Sequence, residues 1–107
     1  MKKSLSNQEF KAILFKTKSL KIRDLVFYYE QNITKTGISF IVSRGKGIAV
    51  ERNLFKRRCR ALFNKYLIRN NDKNIQIIIK PSKLLNNNYT WAELSLSFEK
   101  FFSKLHL

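Results

Sequence analysis

The spacing of apolar and polar positions divides the 107-residue chain into six stretches with different periods. Near the N-terminus Phe10, Ile13 and Leu14 fall on one helical face, Ser6 or Asn7 can cap ahead of them, and Glu9 sits in the first turn. That pattern fades near Thr17. Residues 22–30 (IRDLVFYYE) are aromatic and apolar and predict a strand, and the polar residues 33–37 predict a turn. Residues 38–43 alternate, with Ile38, Phe40 and Val42 on one face and Ser39, Ile41 and Ser43 on the other. Gly45 and Gly47 mark a loop.

From 48 to 68 the period becomes helical. At about 100° per residue, Phe55, Cys59, Leu62 and Tyr66 share a narrow stripe, while Asn53, Lys56, Arg57, Arg60 and Asn64 project to the opposite side. The pattern thus predicts a core face and a basic face that hardly mix, and Asn70, Asn71 and Asp72 end the helix. Residues 75–80 (IQIIIK) read as a third strand. Ile75, Ile77 and Ile79 take one face, Gln76, Ile78 and Lys80 the other, and Pro81 stops it. Asn86 to Asn88 read as loop. Thr90 can cap a final helix, with Glu93 completing a capping box and Leu94, Phe98, Phe101, Phe102 and Leu105 as its apolar stripe.

The order α-β-β-α-β-α describes an α/β chain of the α+β type with a mixed central sheet. Its length suits one compact domain over 1–107 and is too short for two. Each strand offers one apolar face to the helices. The other face is mixed, carrying Val26, Tyr28, Ser39, Ile41, Gln76 and Ile78. Such a face can take an unpaired nucleic-acid strand, because bases stack on aromatic rings while neighbouring cations hold phosphates.

Charge sharpens that picture. Net charge is +15, and between Arg44 and Arg60 seven cations face a single acid, Glu51. A basic tail repels itself and stays solvated, whereas this segment also carries a core stripe and so holds its charge in fixed geometry. Fixed, dense positive charge points to a polyanion, nucleic acid first, with an acidic protein or an anionic membrane as other uses. A single cysteine, Cys59, excludes an intramolecular disulfide, and a single histidine, His106, leaves no Cys/His metal cluster or Ser-His-Asp arrangement. The N-terminus lacks the apolar run of a signal peptide and no stretch reaches the roughly 20 apolar residues of a membrane span. The expectation is a reduced, cytoplasmic protein with no membrane role.

The string GISFIVSRGKGIAVERNLFKRRCRALF resembles the signature of the bacterial ribonuclease P protein subunit. In that family a strand ending in V-S runs into a basic glycine loop and a helix opening A-V-x-R-N-R-x-K-R-x-x-R. Val42, Ser43, Arg44, Gly47, Ala49, Val50, Arg52, Asn53, Lys56, Arg57, Arg60 and Phe63 match without a gap, and the flanking elements agree over nearly the whole chain. The resemblance implies a protein that binds a large catalytic RNA, the ribonuclease P RNA. The holoenzyme removes the 5′ leader of precursor tRNA, and RNA-held Mg²⁺ performs the chemistry. No catalytic residue, metal ligand or obligate protein partner is then expected of this chain. Arg44, Lys46, Arg52, Asn53, Lys56, Arg57 and Arg60 are the implied RNA contacts. Phe10 and Tyr28 match aromatics of the implied leader cleft, and family spacing gives Leu14 beside them, with Phe15 one place later. The resemblance also implies a left-handed βαβ crossover, against the usual right-handed rule.

Two positions depart from the pattern: Leu54 stands where an arginine is expected, and Ile48 where an asparagine is usual. Arg58 adds a cation one turn from Leu54, read as pointing to a different side of the helix. Other readings stay open. Phe10 and Tyr28 also suit plain core packing, and Leu14 reads as core. Asn53 suits a cap, a backbone-ordering residue or an RNA contact. Trp91 reads as packing, with an RNA contact as the alternative. A ribosomal-protein-like RNA-binding module and a basic DNA-binding domain are the competing functions.

Overall fold

The structure, a computed structural model, describes residues 18–31, 36–70, 74–86 and 88–105. The helix expected over the first residues, with Phe10, Leu14 and Phe15, lies outside them, as does His106.

Strands β1 (Lys18–Ile22) and β2 (Leu25–Gln31) form a hairpin, with Ile22 opposite Leu25 across a two-residue turn. A single strand over 22–30 was the expectation, so this is a correction. Nothing in Lys18–Ile22 signals a strand beyond Leu20 and Ile22, and the turn, Arg23–Asp24, has no glycine or proline to announce it. Arg23 takes φ 55, a left-handed conformation that costs an L-residue roughly 1–2 kcal/mol. Tertiary bonds hold the turn in place. The Asp24 carbonyl accepts from the Ser82 amide at 3.0 Å, the Ser82 hydroxyl at 2.9 Å and the Tyr89 hydroxyl at 2.6 Å.

Strand β3 (Gly37–Phe40) is parallel to β4 (Ile75–Pro81), and β4 is antiparallel to β2. The order β1-β2-β4-β3 makes the mixed sheet that the sequence predicts, with β3 and β4 joined through helix α1 (Ala49–Arg69). Strand β3 is shorter than its apolar alternation, although the Ile41 amide still reaches Ile79 O at 3.0 Å. Pro81, lacking an amide proton, is the last residue of β4.

Helix α2 (Trp91–Leu105) starts where Thr90 predicts: the Thr90 hydroxyl accepts from the Glu93 amide at 3.3 Å and donates to its carboxylate at 3.2 Å. One sheet face packs on both helices. Leu25, Phe27, Ile38, Ile75, Ile77 and Ile79 meet Phe55, Cys59, Leu62 and Phe63 of α1 and Leu94, Phe98, Phe101 and Phe102 of α2. Phe27 stacks on Phe101 at 4.3 Å and meets the edge of Phe98 at 5.3 Å, and Tyr66 stacks on Phe102 at 5.8 Å. Ser97 is tolerated in this core because its hydroxyl donates back to Glu93 O at 3.1 Å. Burial pushes the Cys59 thiol far above its ordinary range, only partly opposed by the Arg60 charge, so Cys59 serves as a small apolar group.

The opposite sheet face is mixed, as the alternation predicts, but closed at its centre: Ile78 is 0% exposed and Gln76 is 6% exposed. Tyr28, paired with Ile78, is half-buried there. Its neighbours Phe27 and Tyr29 turn the other way, onto Phe101.

Phe101 is fully buried and packs α2 onto Phe27 and Tyr29 of β2, so Phe101→Ala should cost about 3–5 kcal/mol, a large part of the roughly 5–15 kcal/mol typical of a domain. Urea unfolding should show the midpoint falling with an unchanged slope.

Candidate nucleic-acid interface

The link from β3 to α1 is a turn of 3₁₀ helix, Arg44–Lys46, followed by Gly47 and Ile48. Both of its flanks are tied down. The Lys46 carbonyl accepts from Leu85 N at 2.8 Å, and Lys46 Nζ donates to Ser82 O at 3.3 Å. The Gly47 carbonyl accepts from Arg52 Nε at 3.2 Å. Gly47 is required by space rather than by dihedral: a Cβ there would lie 2.8 Å from Glu51 Oε1 and 3.2 Å from Leu85 Cβ.

Glu51, the one acid in the basic segment, is occupied within its own helix. Its carboxylate accepts from the Ile48 amide at 2.9 Å, satisfying an orphan donor and complementing the positive end of α1. Among the described residues the ion pair found is Lys83 with Asp24 at 3.4 Å, well away from the α1 cations in sequence. Among the described residues, Lys46, Arg52 and Arg58 meet carbonyl oxygens and Arg60 meets a ring.

Arg44, Lys46 and Arg52 line one open hollow of about 500 Å³ together with Ile48, Leu84 and Asn86. Asn53 and Arg57 stand exposed farther along α1, with Lys56 half-buried beside them. Arg60 departs from the expectation of a position opposite the core. Phe63 and Leu67 are buried as well as the predicted stripe, which turns the core face toward the Arg60 side. Arg60 is consequently on a flank: its guanidinium lies 5.2 Å over the Phe40 ring, and its Nε is buried without a hydrogen-bond partner. The same rotation leaves Val50 and Ile68 exposed, so apolar and basic positions mix on the outer face more than the pattern predicts.

Leu54 and Arg58 also differ from expectation. One helical turn apart, they line the same hollow, with Leu85, Asn88 and Tyr89. Arg58 Nη1 donates to Tyr89 O at 3.2 Å, which commits this extra cation to the frame. The segment 82–89 is the part that sequence reasoning missed. Leu85 and Tyr89 are buried, and the Tyr89 hydroxyl, besides donating to Asp24, accepts from Lys83 N at 2.9 Å. Without periodicity, only the Leu-Leu pair and the lone tyrosine could have signalled it. Tyr28 belongs to a different surface, the sheet face turned from α1 and α2.

The chain matches the ribonuclease P family over residues 2–106. It belongs to the ribonuclease P protein family. The ribonuclease P protein component of Phytoplasma australiense is 40% identical over 91 residues, which cover 78% of this chain and 71% of that one. The Staphylococcus aureus RNase P protein structure superposes with TM-score 0.72 at 26% identity, covering 94% of this chain and 92% of that one. The Thermotoga maritima RNase P protein shares the fold, with TM-score 0.74 at 22% identity over 94% and 96% of the two chains. As a ribonuclease P protein the chain is the RNA-binding subunit of an endoribonuclease holoenzyme, and its partner is the ribonuclease P RNA.

The Gly47 contacts generate a prediction about this ribonuclease P protein's frame. Gly47→Ala should displace the Glu51 carboxylate from the helix start, at a cost of about 0.5–2 kcal/mol, the range for a lost cap. Gly45→Ala, whose Cβ would meet only Ser43 Oγ at 3.9 Å, should be near neutral. Thermal unfolding of the two variants gives the comparison, and equal melting temperatures would contradict it.

Proposed function

We propose that this protein anchors on ribonuclease P RNA through the 3₁₀ turn and the outer side of α1, and that it steadies the 5′ leader of precursor tRNA on the sheet face bearing Tyr28. The observation that carries this reading is the continuous set Arg44, Lys46, Arg52, Asn53, Lys56 and Arg57. Arg44, Lys46 and Arg52 are presented on a hydrogen-bonded turn, Asn53, Lys56 and Arg57 follow on α1, and the only acid among them is already bonded to Ile48. Phosphate contacts of that kind position an RNA without reading its sequence.

Mg²⁺, in this reading, belongs to the RNA. Among the described residues no three His, Cys, Asp or Glu side chains come together, so these donors do not fit a metal site of their own. What the chain supplies is a field and a fixed surface. Phe10, Leu14 and Phe15 complete the proposed leader contacts alongside Tyr28. The work is cytoplasmic in this reading.

Reconstitution tests the proposal. The purified protein should stimulate precursor-tRNA cleavage by its cognate RNA at low Mg²⁺, and a folded protein without effect would refute the reading. The structure selects Lys56→Ala with Arg57→Ala as the variant pair, since Arg60 also supports Phe40. Their loss should lower the salt slope of log K for catalytic RNA by about one unit per lost phosphate contact. A steady slope would make this face a bystander.

Tyr28→Ala separates substrate from anchor. It should weaken leader-bearing precursor by about 1–3 kcal/mol and leave mature tRNA nearly unchanged, as measured by binding to the reconstituted holoenzyme. Equal losses on both would assign Tyr28 to packing.

A further inference from the structure

The hollow at the start of α1 is both basic and apolar. Arg44, Lys46 and Arg52 line it, and so do Ile48 and Leu84, which are 67% and 54% exposed. A single exposed aliphatic residue means little. Here two, from different segments, line one open hollow of about 500 Å³ together with three cations and with Glu51, whose carboxylate is bonded to the Ile48 amide.

The backbone at both aliphatic residues is hydrogen-bonded. The Ile48 amide donates to Glu51 at 2.9 Å. The Leu84 carbonyl accepts from Asn88 Nδ2 at 2.7 Å, and the next amide, Leu85 N, donates to Lys46 O at 2.8 Å. Two of the cations are anchored by one donor each and keep others. Lys46 uses one contact of its ammonium on Ser82 O, and Arg52 uses Nε on Gly47 O.

We propose that this hollow is a subsite for one unpaired nucleotide of an RNA strand, its base against Ile48 and Leu84 and its flanking phosphates on Arg44, Lys46 and Arg52. The inference rests on the RNA-anchoring reading and narrows it. A regular duplex presents phosphates but hides its base faces in the stack, so it has no use for the aliphatic wall. An unpaired nucleotide joins an apolar face to adjacent negative charge, the same combination the hollow offers. Ile48 is one of the two positions where this chain departs from the pattern it resembles, which ties the subsite to this sequence.

Methyl NMR of the full chain, with Ile48 and Leu84 assigned, tests the subsite against three probes of matched length: an adenosine pentanucleotide, an abasic ribose-phosphate strand and a blunt RNA duplex. The base-bearing strand alone should move both methyl groups upfield by ring current, while the Arg44 amide responds to all three. The abasic strand should bind about 5-fold or more weakly, for the apolar base surface it cannot bury against the two aliphatic side chains. Ile48→Ser with Leu84→Ser, both at exposed positions, should abolish that preference and keep the salt slope. Unmoved methyl groups, equal affinities or a preference that survives the double substitution would each overturn the subsite. Reconstitution keeps the two readings apart. Stimulated cleavage without methyl shifts defeats the subsite alone, and methyl shifts without stimulation defeat the proposed function alone.

Discussion

The carbonyl oxygen of Asp24 gathers the Ser82 amide, the Ser82 hydroxyl and the Tyr89 hydroxyl within 3.0 Å. That point ties three stretches of chain together. It holds the β1–β2 hairpin in a turn whose sequence does not favour it, offsetting the left-handed Arg23. It also fixes the segment after β4, and that segment carries the 3₁₀ turn Arg44–Lys46 through Leu85 and Ser82 and meets α1 through Tyr89, Phe55 and Arg58. A hydrogen bond contributes about 0.5–1.5 kcal/mol net, but leaving a buried partner unpaired costs about 1–3 kcal/mol. Tyr89 is buried, so its hydroxyl is the group with most to lose, whereas Ser82 is exposed and can turn to water.

Folding so much positive charge into one segment raises an obvious problem, and the magnitudes show how it is solved. Like charges about 4 Å apart in water repel by about 1 kcal/mol, and salt reduces that further. Hydrogen bonds to charged groups contribute about 1.5–3 kcal/mol. Lys46, Arg52 and Arg58 each donate to a backbone carbonyl, and Arg60 lies over Phe40. Carbonyl oxygens and rings order a cation without neutralising it. A carboxylate partner would have ordered it equally well and cancelled the field. The one carboxylate in the segment is spent on the helix start, where it also stabilises the fold.

Much of this was legible in the sequence where a period ran long enough to be counted. Helices α1 and α2 and strand β4 lie within a residue or so of their expected bounds, and the mixed sheet follows from the element order. The family signature over 42–63 was legible too, because its spacing is contiguous. What was not legible depends on contacts distant in sequence. The Arg23–Asp24 turn is stabilised from residues 82 and 89, so no local signal marks it. The core face of α1 is rotated because Phe63 and Leu67 find partners in the tertiary core, and ideal helical angles carry no knowledge of those partners. Leu54 and Arg58 were assigned different sides, although positions four apart share one. Segment 82–89 has no period at all, and its importance lies entirely in what it touches.

A protein that contributes binding surface rather than reacting groups is effective to the extent that the surface is ordered beforehand. Each long side chain immobilised on association costs about 0.5–1.5 kcal/mol, so a set of five freely rotating cations would forfeit several kcal/mol of its attraction to RNA. Here the backbone under Lys46 and Gly47 is bonded on both sides, Arg52 is already tethered at Nε, and Ile48 is pinned through its amide. Much of the ordering has been done during folding, by the hydrophobic core and the Asp24 knot. The dependence then runs outward from Tyr89, through the Lys83 amide and Leu85, to Lys46. Substitutions deep in the core should alter RNA affinity through the geometry of the loop even when every cation is left in place.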